Sequence, residues 1–117
     1  MRVVKIHSGT RVEFSSNELL FLAQSGQPYR GSLYVHFDSV GESFDTVDFK
    51  RYITSLRSCS LNAEDIAYEI YSKIDTVIES KNLGVIVELS ARGGISQRLS
   101  YGHEFSVSKK NNIFQVG

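Results

Sequence analysis

The hydrophobic period of this chain changes twice, and that pattern constrains the fold more than any other feature. Between Gly31 and Asp38, Leu33, Val35 and Phe37 alternate with Tyr34, His36 and Asp38, the period of two expected of a strand. One apolar and one polar face suit an antiparallel sheet. Val4 and Ile6, then Val12 and Phe14, alternate in the same way. From Asp45 to about Arg57 the spacing of Phe49, Tyr52, Ile53 and Leu56 predicts one helix, and Ile66, Ile70, Ile74, Val77 and Ile78 predict a second. Asn62 is placed to cap that second helix, with Asp65 three residues on in a box-like arrangement. Ser58 and Ser60 suit the turn between them. Leu83, Val85, Val87 and Leu89 then restore the period of two, Arg92-Gly93-Gly94 predicts a turn, and Gly102 to Val116 is expected to supply a last strand or hairpin. The order is strands, two helices, strands. This predicts an α+β domain with two consecutive helices on one face of an antiparallel sheet. Long open edges and a partly apolar second face invite association between copies.

A chain of 117 residues is expected to form one domain, residues 1–117, around one core. The lone proline, Pro28 in SGQPYRG, marks a turn between extended segments. With 13 Lys+Arg against 13 Asp+Glu, no basic surplus supports holding nucleic acid by broad electrostatics. The single cysteine excludes an internal disulfide and a cysteine-rich zinc site. The N-terminal MRVVKIHSGTRVEF alternates instead of forming the apolar core of a signal peptide. The longest apolar stretch, Leu19–Ala23, is too short to span a bilayer. A cytoplasmic protein without a membrane partner is expected.

Few residues carry chemistry by pattern alone. His7, His36 and His103 lack metal-ligand spacing, and those on strands are expected to face solvent. Cys59 reads as a small packed thiol or as a reactive one near a helix N-terminus. Glu64, in the first turn of the second helix, is favoured there by the helix dipole. Equally, a fixed carboxylate can accept two parallel N–H bonds from a guanine-type edge. The Arg92-Gly93-Gly94 glycines suit positive φ or a close approach by a ligand. Periodicity gives a fold class and no reaction.

Taken together, Ser25-Gly26-Gln27-Pro28, the strand GSLYVHF, FKRYITSLRS, Glu64-Asp65 and Ala91-Arg92-Gly93-Gly94-Ile95-Ser96 resemble the QueF family in order and spacing, over roughly Phe21 to Gly102. Its members are NADPH-dependent 7-cyano-7-deazaguanine reductases of queuosine biosynthesis with the tunnelling (T-fold) architecture. The resemblance implies T-fold units assembling side by side into oligomeric barrels, with pockets between subunits. It implies that Glu64 grips the deazaguanine edge and that Arg92, Gly93 and Gly94 belong to the substrate-binding region.

The sequence departs from the family at the chemistry. Ala23 stands where the family has the cysteine that attacks the nitrile, so that covalent route is closed. Tyr29 stands at the family's acid, a proton donor of higher pKa, and Ala63 replaces a histidine. Of the nicotinamide-cofactor motif, DTVDFKRY keeps Lys50 and Tyr52, while Val47 replaces a lysine. The expectation is a QueF-like protein that keeps a purine-type pocket, has lost nitrile reduction and needs no cofactor. NADPH belongs to it only if reductase activity survives. Two alternatives stand beside it. One is an active deazaguanine enzyme, a reductase or an amidine-forming enzyme acting on tRNA, with Cys59 as displaced nucleophile. The other is a purely structural ring-forming protein.

Overall fold

The alternating segments pair into one antiparallel four-stranded sheet, and a computed structural model describes residues 1–92 and 94–107 of it. Its strands are β2 (Arg11–Leu22), β3 (Pro28–Ser39), β5 (Ser80–Arg92) and β6 (Ile95–Gly102), in the order β2-β3-β5-β6. Two short strands, β1 (Val3–Lys5) and β4 (Glu42–Phe44), pair separately. Between β4 and β5 lie the helices α1 (Thr46–Ser55) and α2 (Ile66–Val77). The result is the expected α+β arrangement.

Leu33, Val35 and Phe37 of β3 share a face with Val85, Val87 and Leu89 of β5, and all six are buried. On that face α1 packs against β2, while α2 packs against β5 and β6. Phe14, Phe44 and Phe49 join β2 to α1, with Phe14 stacked on Phe44 at 4.7 Å and Phe49 tilted against Phe44 at 4.8 Å between ring centroids. Ile66, Ile70 and Ile74 bury the stripe of α2 completely. At Gly31 the sheet has no room for a side chain, because an added Cβ would collide with the backbone of Glu88 and Leu89.

The pattern within β2 shifts by one residue. Val12 and Phe14 face the core at even positions, whereas Leu19 and Phe21 do so at odd ones. A bulge between Ser16 and Leu19 absorbs the extra residue, which restores apolar side chains to the core face.

Four local expectations are corrected. The first helix is shorter than predicted, ending at Ser55 and tightening into a 3-10 turn over Leu56–Ser58. Asn62 does not cap α2: a 3-10 turn, Ala63–Asp65, intervenes, and the Asn62 amide donates to the Asp65 carboxylate at 3.3 Å. His36 is buried, at 6% exposure, because residues 103–107 cross the second face of the sheet and lay Phe105 on its ring. The last strand lies at Ile95–Gly102, before the stretch predicted for it. Beyond Gly102 the residues up to 107 form no strand, and 108–117 lie outside the described residues.

Candidate functional site

The end of β2 organises the region that carries the motif residues. Leu22 donates its N–H to the Cys59 carbonyl at 3.0 Å and accepts from the Leu61 N–H at 2.8 Å. This parallel bridge between Leu22 and Ser60 ties the connection between the helices to the sheet's edge strand. Immediately after it, the chain reverses at Ala23–Gln27. The Ala23 N–H donates to the Gln27 carbonyl at 2.8 Å, and the Ala23 carbonyl accepts from Gly26 at 2.8 Å. Gly26 takes the positive φ of 90° that glycine adopts without a Cβ clash. Ser60 donates its hydroxyl to the same Ala23 carbonyl at 3.3 Å.

Ala23 is therefore held by hydrogen bonds on both sides, and it presents only a methyl group. Tyr29 lies just past the turn, with its ring stacked on Phe21 at 5.1 Å. Cys59 is half-buried, and its thiol donates to the Ser55 carbonyl at 3.6 Å. Glu64 sits in the 3-10 turn four residues beyond the Ser60 bridge and not within the first turn of α2 as expected. Ala63 beside it is buried, which anchors the turn, whereas the Glu64 side chain is exposed.

The β5–β6 turn reaches the same end of the sheet, because β5 runs antiparallel to β3 with Leu89 opposite Gly31. Arg92 pairs through its backbone position with Ile95, and Gly94 is exposed with a φ of 84°. Gly93 and the side chain of Arg92 lie outside the described residues. Lys50 is not brought to this end. It is exposed on α1 next to Phe49, whose ring packs toward Phe14 and Phe44, with the exposed Val47 one turn before it.

Tyr52, the other retained residue of that motif, lies between the helices. Burial pushes its phenol pKa up, and nearby Glu69 and Cys59 act in the same direction. Its hydroxyl is buried without a hydrogen-bond partner, and Lys73 lies 5.8 Å from its ring centroid. Among the described residues no group of three or more His, Cys, Asp or Glu side chains is arranged to hold a metal. No described helix is long and apolar enough to cross a membrane.

Among the described residues, two of the concave features lie on the sheet. Asn17, Arg30, Ser32, Arg57 and Ser90 line an open cleft of about 560 Å³ beside the β2 bulge. Glu13, Ser15, Tyr34 and Phe105 line a smaller one of about 210 Å³ on the second face. The bulge is hidden from any strict alternation, and the crossing of Phe105 over β3 is a tertiary event. The sequence carries no local signal for either.

No protein-family model matches this chain, and no curated protein matches it in sequence. Among solved structures, the crystal structure of the archaeosine synthase QueF-Like in the apo form superimposes with a TM-score of 0.70. The match is 17% identical and covers 85% of this chain and 96% of that one. At this identity the likeness is one of fold: both chains have the T-fold-like arrangement of antiparallel strands and two helices.

Proposed function

We propose that this chain is a QueF-like T-fold protein of 7-deazaguanine metabolism that binds a purine-type base and does not reduce a nitrile. The observation that carries the reading is Ala23 at the head of the β2–β3 turn, in a fold shared with a QueF-like protein. Attack on a nitrile needs a thiolate, and a methyl group supplies neither nucleophile nor proton. What remains is recognition. The exposed Glu64 carboxylate can accept two parallel N–H bonds from a guanine-type edge, and the Arg92-Gly93-Gly94 turn at the same end of the sheet would supply backbone close to the ligand.

β2 and β6 are the edge strands of the sheet, and beyond the Leu22 bridge no further strand covers them among the described residues, which suits side-by-side assembly of identical copies that would wall the shallow end around Glu64. Without a covalent intermediate to reduce, NADPH has no role, and Lys50 lies away from the turn. Calorimetric titration with 7-cyano-7-deazaguanine tests the reading, with guanine and the Glu64→Gln variant as controls. Saturable binding that weakens in Glu64→Gln supports it, and no heat with any purine contradicts it.

One observation favours an active deazaguanine enzyme, a nitrile reductase or one forming an amidine on tRNA. The lone thiol, Cys59, belongs to the residue whose carbonyl is bonded to Leu22, next to Ala23. Its Sγ, however, is directed to the Ser55 carbonyl of α1. Activity on a 7-deazaguanine that disappears in Cys59→Ser would establish that second reading. The purely structural reading predicts that Glu64→Gln alters nothing but stability.

A further inference from the structure

We infer that the cavity between the second face of the sheet and residues 103–107 is a separate binding site for a small planar heterocycle that donates N–H bonds. The strand register builds its floor: Glu13 lies opposite His36, and Ser15 lies opposite Tyr34. Phe105 supplies the wall, with its ring stacked on His36 at 5.2 Å and tilted by 25°.

Backbone holds that wall in place. The His103 N–H donates to the Leu83 carbonyl at 2.8 Å. The crossing segment also lies so close to Gly84 that an added Cβ would meet the His103 carbonyl and the Phe105 ring. The Nδ1 of His36 is buried beneath it without a partner. The aromatic wall is thus formed before any ligand arrives.

Size, shape and charge then limit the occupant. About 210 Å³ is below the roughly 300–1,000 Å³ of pockets for drug-sized ligands, which favours a one- or two-ring molecule. The walls of Tyr34 and Phe105 favour a flat one. Glu13, whose carboxylate makes no hydrogen bond or ion pair among the described residues, is the only charged group among the described residues that line the cavity. No lysine or arginine lines it among the described residues. A carboxylate beside aromatic rings selects an amidine-type edge, whose two N–H donors match its two oxygens. This site is independent of the one around Glu64, since its residues come from the middle of β2 and β3 and from the segment after β6.

2-Aminobenzimidazole, a flat bicycle with that edge, is a suitable probe. Titration into the full chain, followed by amide NMR, is expected to give saturable shifts at Tyr34 and Phe105. Glu13→Gln should weaken binding by about tenfold or more, and Phe105→Leu should weaken it while the remaining spectrum keeps the native pattern. Glu64→Gln should leave it unchanged. Absence of saturable shifts, or binding indifferent to Glu13→Gln, overturns the inference. Shifts abolished by Glu64→Gln and not by Glu13→Gln would assign the probe to the other site and overturn it as well.

Discussion

The Ser60 hydroxyl donates to the carbonyl of Ala23 at 3.3 Å, joining the connection between the helices to the turn that heads β3. Through this contact and the adjacent Leu22 bridge, residues from distant parts of the chain meet at one end of the sheet. Hydrogen bonds hold the Ala23 backbone on both sides there, and the only side-chain group it presents is a methyl.

Replacing that methyl with a thiol is therefore a direct chemical test. Ala23→Cys, incubated with 7-cyano-7-deazaguanine, is expected to gain the mass of one ligand per chain as a thioimide, while the wild type gains none. An adduct on the wild type would point to Cys59 and overturn the non-covalent reading.

At the centre of the sheet, Gly31→Ala should destabilise the protein by about 1–3 kcal/mol. The new methyl would meet the Glu88 carbonyl, which is backbone and cannot swing aside. Denaturant unfolding of both proteins measures the loss. An unchanged midpoint would mean that β3 and β5 are further apart than described.

Removing the buried Tyr52 hydroxyl should have the opposite sign. It has no hydrogen-bond partner, so Tyr52→Phe deletes an unmet polar group and keeps the ring that packs against the core. A gain of roughly 1 kcal/mol is expected, measured by the same unfolding experiment. A loss would show that the hydroxyl is satisfied in solution.

Asp45 caps α1 by accepting from the Asp48 N–H at 3.1 Å, and Arg2 lies 3.2 Å from its carboxylate. The cap hydrogen bond is the larger cause that holds its pKa below the ordinary 3.8, with Arg2 adding to it. A depressed folded value means that the charged cap stabilises the protein above pH 3.8. That contribution is lost as pH falls through the lower folded value. Asp45→Asn keeps a capping oxygen and loses the titration, so its stability should fall less steeply in acid than the wild type's. Parallel acid slopes would remove Asp45 from the account.

What the sequence made legible follows from where one physical signal dominates. β3, β5 and α2 each carry a regular buried stripe, so Leu33–Phe37, Leu83–Leu89 and Ile66–Ile74 show their period directly, although His36 and Ile86 are buried on the second face as well. β2 does not, because the bulge between Ser16 and Leu19 reverses which positions are apolar. β6 shows no such stripe because it is an edge strand, half-buried only at Gln97 and Leu99. His36 reads as a solvent-facing residue until Phe105, far along the chain, covers it. At the site, the motif residues near Ala23 were legible as a group, and Ala23, Tyr29 and the Cys59 backbone do converge on one end of the sheet. Lys50 does not join them. Glu64 occupies a 3-10 turn because the buried Ala63 takes the inward position, a choice set by packing and invisible to a capping pattern.

Calorimetric titration with 7-cyano-7-deazaguanine tests the proposed base binding most directly. The expected result is saturable heat that is sharply reduced in Glu64→Gln, with no consumption of NADPH and no covalent adduct. No heat with 7-cyano-7-deazaguanine or guanine, or heat unaffected by Glu64→Gln, would contradict it.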